Sequence, residues 1–162
     1  MLELRPRDVG VITCVGDPAA MDAVGAVPGV MTCRVAPDES MLLSSPEAAA
    51  GAVTEAARRA MAADPDAIVV DATDGWSAWT LQGDQVDLAF DRLSAFPLRL
   101  GFSQGDVAHV PVKIVVSGNA LNLLVPAMWR AYLRERILTR CAGLQIVEQT
   151  EALAWAPEGT AS

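Results

Sequence analysis

Runs of β-branched residues and helical spacings alternate along the chain, and each run is bounded by proline, glycine or aspartate. Residues 9–15 (VGVITCV) are apolar enough for a strand. Asp17-Pro18 then supplies an N-cap and a proline at the first helical position for a short helix over 18–27, which Pro28-Gly29 closes. Residues 30–36 and 40–43 read as two strands of a hairpin about the turn Pro37-Asp38-Glu39. The clearest helix follows. Ser45 before Pro46, or Ser44 with Glu47 as a capping box, opens it, and Asp64-Pro65 stops it, because a residue before proline disfavours the α region. Its face is alanine-rich, which allows close packing on a sheet. Residues 67–71 (AIVVD) and 76–81 (WSAWTL) are strands about a tight turn, and Asp84 caps a helix carrying Val86, Phe90 and Leu93.

Residues 97–105 read as a long connection, 107–116 as one strand, and 121–125 as another after the Ser117-Gly118-Asn119 turn. Pro126 starts a second long helix with Trp129, Leu133, Ile137 and Cys141 at i+4 spacing and Arg130 and Arg134 on its flank; Gly143 fits its C-cap. Residues 144–150 return as a last strand. The order is strand–helix–strand–strand–helix–strand from Val9 to Asp71, repeated from Trp76 to Thr150. The fold class is therefore α+β, two ferredoxin-like βαββαβ halves forming one duplicated domain over 1–151, with 152–162 as a flexible C-terminal tail.

Composition narrows the function. Hydrophobic residues make up 52% of the chain and its mean hydropathy is +0.30, yet no apolar stretch is long enough to cross a bilayer. The excess belongs to a core or to a buried subunit interface. The N-terminal Met-Leu-Glu-Leu-Arg-Pro-Arg has no apolar signal core. A net charge of −8 without a basic run argues against nucleic acid. Cys14, Cys33 and Cys141 are widely spaced, which argues against a disulfide framework or a zinc site and suits a cytoplasmic protein.

No catalytic constellation stands out. His109, the single histidine, falls within the 107–116 strand pattern, and no metal-binding spacing surrounds it. Gly101–Gly105 (GFSQG) matches the letters of G-x-S-x-G around Ser103, but a nucleophile elbow needs a strand before the serine and a helix after it. Asp71 and Asp74 sit at a short turn, where aspartate has an ordinary structural use. No residue is assigned to catalysis, cofactor or metal. In 76–81, alternation sends Trp79 and Leu81 to the core and Trp76 to the opposite face, as part of a second core layer or as a partner anchor. Trp76, Trp129, Arg130 and Arg134 are the candidate interface residues.

Three groups of residues carry a family resemblance: Val35-Ala36-Pro37-Asp38-Glu39 with Met41-Leu42-Leu43; Val70-Asp71-Ala72-Thr73-Asp74 running to Leu81-Gln82-Gly83; and 110–116 with 121–125 feeding the terminal helix. Together they resemble the gamma subunit of heterotetrameric sarcosine oxidase, with its G-P-D-E-W-L-L and D-V-S-D…L-S-G segments, a relative of the folate-binding fold of the aminomethyltransferases. Ser40 stands where that family often has tryptophan, and Gly75-Trp76 departs from its usual small–polar pair. The resemblance implies a duplicated α+β fold, with first strands exchanged between halves. It also implies a non-catalytic subunit bound to larger alpha and beta flavoproteins and a small delta subunit. FAD, FMN, NAD and tetrahydrofolate would lie on those partners, in a complex that oxidatively demethylates sarcosine or a similar secondary amine. A stand-alone folate-like binding module is the alternative; a hydrolase using Ser103 or His109 is a more distant one.

Overall fold

A computed structural model describes residues 1–156. The described residues divide into two compact units: one built from Met1–Arg7 with Asp74–Leu153, the other from Asp8–Thr73 with residues 154–156. The architecture is α+β, with two distinct sheets and helices interspersed among the strands.

The unit of Asp8–Thr73 follows the anticipated order: β2 (Gly10–Val15), α1 (Pro18–Val24), β3 (Met31–Ala36), β4 (Glu39–Ser44), α2 (Ala49–Ala63) and β5 (Ile68–Asp71). Its sheet runs β3-β4-β2-β5. Asp17 caps α1 as the sequence predicts, its Oδ1 accepting from the Ala20 amide at 2.8 Å. The helix stops at Val24, short of Val27, because Gly25 turns the backbone away at φ +49°. At α2 neither predicted serine cap forms: a 3-10 turn over Pro46–Ala48 leads into the helix, and the Ser44 hydroxyl donates to the Ser45 carbonyl instead. Ala49, Ala52, Ala56 and Ala60 lie on the buried stripe of α2 and pack with Ile12, Cys14 and Leu42 of the sheet. Small side chains at i, i+3, i+4 spacing allow this short helix–sheet distance.

The other unit holds a seven-stranded sheet along β10-β1-β6-β9-β8-β7, with the short β11 (Leu153–Ala154) beside β1. Its strands are β1 (Leu2–Asp8), β6 (Trp76–Gly83), β7 (Gly101–Val107), β8 (Val110–Ser117), β9 (Ala120–Pro126) and β10 (Ile146–Glu148); its helices are α3 (Val86–Leu93) and α4 (Arg130–Arg140). One strand that the sequence analysis left unassigned appears here, and three expectations are corrected. The N-terminal segment is a strand, with Leu2 and Leu4 fully buried and Glu3 and Arg5 on the other face, antiparallel to β6 and parallel to β10. Residues 101–107 are a strand and not a connection; glycine content disguises it, and the Phe96 ring lies where a Cβ on Gly105 would stand. The predicted 107–116 strand is two strands joined by Ala108-His109, both at positive φ (50° and 68°). Asp84 does not cap α3, whose N-cap is Gln85 without a side-chain bond.

The core of this unit is large-residue: Leu2, Leu4, Leu81, Phe90, Leu121, Leu123, Leu133 and Ile137 cluster with Trp79 and Cys141. The predicted tail does not begin as a tail. Leu153–Ala154 is a strand, and Trp155 is buried with its amide donating to the Asp8 carbonyl at 2.7 Å. The remainder of that prediction, 157–162, lies outside the described residues.

Candidate functional site

The residues singled out as interface candidates all lie in the sheet–helix unit that contains α4. Strand β6 pairs with β9 so that Trp76 stands opposite Pro126. Pro126 ends β9, and its fixed φ turns the chain into a 3-10 turn over Ala127–Trp129 before α4 begins. That turn lifts Met128 and Trp129 out of the core: Met128 is 82% exposed and Trp129 40%. The i+4 stripe of the sequence reading therefore begins at Leu133, not at Trp129. Trp129 meets Tyr132 edge-on, with ring centroids 5.6 Å apart.

Arg130 and Arg134 have different partners. The Arg130 guanidinium lies 5.5 Å from the Trp79 ring centroid, and the Trp79 indole N–H donates to the Arg130 carbonyl at 3.1 Å. Tryptophan is thus fixed at both face and edge, and the exposed arginine is stacked on it. Arg134, one turn further along α4, is engaged instead by β10, its Nε donating to Glu148 at 2.7 Å. Arg136 stacks on Tyr132 at 5.2 Å, and Arg140 lies further along the helix. The N-terminal end of α4 is consequently an apolar knob, Met128 and Trp129, edged by arginine in a chain of net charge −8. Trp76 is half-buried on its strand, while Ala78 and Thr80 on the same face are buried. Exposed Met128 carried no signal in the sequence, since methionine fills cores as readily as it marks contact surfaces.

The other chemical candidates have ordinary positions. Ser103 lies in the middle of β7 opposite Ile114, with strand on both sides, so the geometry of a nucleophile elbow is not formed. His109 is corrected from a strand interior to the exposed tip of a two-residue hairpin turn. The turn is anchored by the Ala108 amide donating to the Leu93 carbonyl at 2.7 Å and by the Tyr132 hydroxyl donating to the Ala108 carbonyl at 3.3 Å. His109 lines a cleft of about 490 Å³ with Asp91, Arg92, Asp106 and Arg140. Asp71 accepts from the Thr73 amide at 3.0 Å, and the Thr73 hydroxyl and amide hold its carboxyl below the usual range: it forms the turn, as the sequence suggests. Burial raises the thiols, Cys14 to about 11 and Cys33 to about 12, and also lifts Cys141, so these cysteines resist forming thiolates. Among the described residues no group of three or more His, Cys, Asp or Glu side chains could hold a metal. No described helix is long and apolar enough to cross a membrane.

The helix side of the β3-β4-β2-β5 sheet carries a second polar feature that the sequence did not flag. Thr32 and Ser40 present buried hydroxyl oxygens, and among the described residues these have no hydrogen-bond partner. They line a cleft of about 440 Å³ with Met21, Asp22, Val30 and Arg34.

No family model matches the sequence, and no curated protein sequence matches it significantly. Solved structures do share its fold. A heterotetrameric sarcosine oxidase from Corynebacterium sp. U-96, in complex with pyrrole 2-carboxylate, superposes with a TM-score of 0.75 at 16% identity, over 92% of this chain and 88% of that one. The glycine cleavage system aminomethyltransferase T from Bartonella henselae superposes with a TM-score of 0.62 at 16% identity over 94% of this chain, which spans 48% of that protein. At this identity the likeness is one of fold: an α+β architecture of the kind found in aminomethyltransferases and sarcosine oxidase.

Proposed function

We propose that this chain is a non-catalytic subunit of a sarcosine-oxidase-type complex, docked onto larger flavoprotein chains through the Met128–Arg130 knob and neighbouring Trp76. The fold match to a heterotetrameric enzyme carries the reading, because it extends over nearly the whole of both chains. Exposed Met128 and Trp129 support it: an apolar pair edged by arginine has the composition of an interface core. The partners would be alpha and beta flavoproteins and a small delta subunit, with FAD, FMN, NAD and tetrahydrofolate on those chains. The complex would oxidatively demethylate sarcosine or a similar secondary amine in the cytoplasm.

Each unit is further proposed to be a ferredoxin-like half of a duplication. The β3-β4-β2-β5 order supports this for one unit. In the other, β8-β9-β6 follows the same path, with β1 intercalated before β10 and β7 added outside β8.

Co-expression with flavoprotein candidates, followed by native mass spectrometry, tests the reading. A flavin-bearing assembly containing this chain is expected, and Met128→Ser with Trp129→Ser should release it without unfolding it. A chain that stays a soluble monomer beside those candidates would overturn the proposal.

A further inference from the structure

We propose that the open edge of β5 docks an extended, basic segment of a partner chain, which joins the four-stranded sheet as a fifth strand. The register fixes which groups are open. The Ala72 amide donates to the Val11 carbonyl at 2.8 Å, and β5 pairs antiparallel with β2 in that same register. Antiparallel pairs alternate, so Ile68 and Val70 turn their backbone groups toward β2, while Val69 and Asp71 turn theirs outward. β5 ends its sheet, and no described strand takes those outward groups. The side chains are as open as the backbone. Ile68 is 60% exposed and Val70 47%, and Val15, opposite Ile68, is 41% exposed. Alternation puts all three on the face away from α2, since Cys14 and Val69 pack with its alanine stripe. Further in, Val11, Met41 and Leu43 of the same face are buried.

Edges of this kind are normally defended, because unpaired amides and carbonyls beside aliphatic side chains invite another strand. The opposite edge of the same sheet shows the defence: β3 carries the exposed Arg34 and a bulge between Arg34 and Ala36. The Ile68–Asp71 edge has neither a cation nor a bulge. Charge selects its occupant. Asp66, Asp71 and Asp74 bracket the strand, Glu39 stands across from Val15, and no lysine or arginine falls between Arg59 and Arg92. A second copy of the chain fits poorly. The antiparallel register that pairs Val69 with Asp71 sets Asp66 opposite Asp74, and the one that pairs Asp71 with itself doubles the charge. The register centred on Val69 leaves these acids without a cation. A strand with aliphatic residues at alternate positions and lysine or arginine toward its ends meets every feature. Its backbone completes the ladder, its apolar side chains cover Ile68, Val70 and Val15, and its cations reach the aspartates.

This edge belongs to the unit that does not carry the Met128–Arg130 knob, and its test needs no complex, so either proposal can fail alone. NMR of the isotope-labelled full chain gives the readout, with the end-blocked peptide Lys-Val-Thr-Ile-Thr-Val-Lys as probe. The peptide should bind saturably, shift the amide signals of 67–72 and Val15, and slow hydrogen exchange at Val69 and Asp71. Its counterpart with glutamate at both ends should bind weaker by about tenfold or more, as should one N-methylated at alternate residues, which keeps the side chains but loses the donors. Ile68→Lys changes an exposed position, so the spectrum should remain that of the folded chain while the basic peptide loses about tenfold or more in affinity. No saturable binding, shifts centred elsewhere, equal affinity for the acidic or N-methylated peptide, or indifference to Ile68→Lys would each overturn the proposal. A concentration-dependent dimer dispersed by Ile68→Lys would give the edge to a second copy and overturn it as well.

Discussion

Two sets of buried polar side chains, one in each unit, are treated in opposite ways. In the seven-stranded sheet the Thr80 hydroxyl donates to the Asn122 side-chain oxygen at 2.7 Å, and the Asn122 amide donates to the Val115 carbonyl at 3.2 Å. The polar pair spans three adjacent strands and each member has its partner. In the four-stranded sheet, the Thr32 and Ser40 hydroxyl oxygens are buried without one among the described residues. Their neighbourhoods differ too. Thr80 and Asn122 sit cross-strand on central strands, whereas Thr32 lies on the edge strand β3, beside a cleft. A buried polar group that is met within the protein specifies strand register. One that is unmet leaves its donor and acceptor uncompensated, which costs stability.

The largest effect expected from breaking this comparison lies in the unit that β1 completes. Leu4 is fully buried between β6 and β10, and Leu4→Ala should cost about 2–5 kcal/mol in chemical denaturation. Asn122→Ala comes next. It strands the Thr80 hydroxyl and should cost about 1–3 kcal/mol, the opposite sign from Ser40→Ala, which removes an unmet hydroxyl. If both substitutions moved stability in the same direction, the contrast between the two polar sets would be false. His109→Gly, at the exposed turn position with φ 68°, relieves the positive-φ cost and should stabilise by about 1 kcal/mol, seen as a higher urea midpoint.

The smallest effect is a pH dependence in the four-stranded unit. Hydrogen bonds from Arg58 and Arg59 hold the Glu55 carboxyl down at about 2, from an ordinary 4.5. A depressed folded-state pKa contributes stability that is complete above the unfolded value and disappears as pH falls through the folded one. The support Glu55 gives α2 should therefore be lost between about pH 4.5 and 2. Carbon-detected NMR titration of Glu55 should show its midpoint near 2, and Arg59→Gln should move it upward.

Much of the fold is legible in the residues. The alanine stripe of α2, the Asp17 cap and the β-branched runs of β2 and β5 announce themselves because each is a local pattern with one stable reading. Three elements are harder to see for stated reasons. The alternation Leu2-Glu3-Leu4-Arg5 is a strand signal, but it is short and has no turn before it. Gly101 and Gly105 hide an edge strand whose packing is supplied by Phe96 from outside the strand. Ala108-His109 lacks the glycine or asparagine that marks such a turn; bonds from Leu93 and Tyr132 hold it in place.

The candidate surfaces divide in the same way. Tryptophan and arginine at the start of α4 can be picked out in the sequence as partner-seeking residue types, and Trp79 as core. The sequence cannot say that Pro126 and a 3-10 turn push Trp129 outward while Arg134 is spent on Glu148, since both depend on β9 and β10 being in place. By itself, then, the sequence determined most of the elements, the α+β class and the acidic, apolar character of the chain. These follow from periodicity and composition, which are properties of neighbours along the chain. Only the tertiary structure decided that the N-terminal strand completes the sheet of the distant half, and that two unremarkable hydroxyls, Thr32 and Ser40, are buried without a partner among the described residues. Strand partners and unmet hydrogen bonds are set by residues far apart in sequence, and no local pattern encodes them.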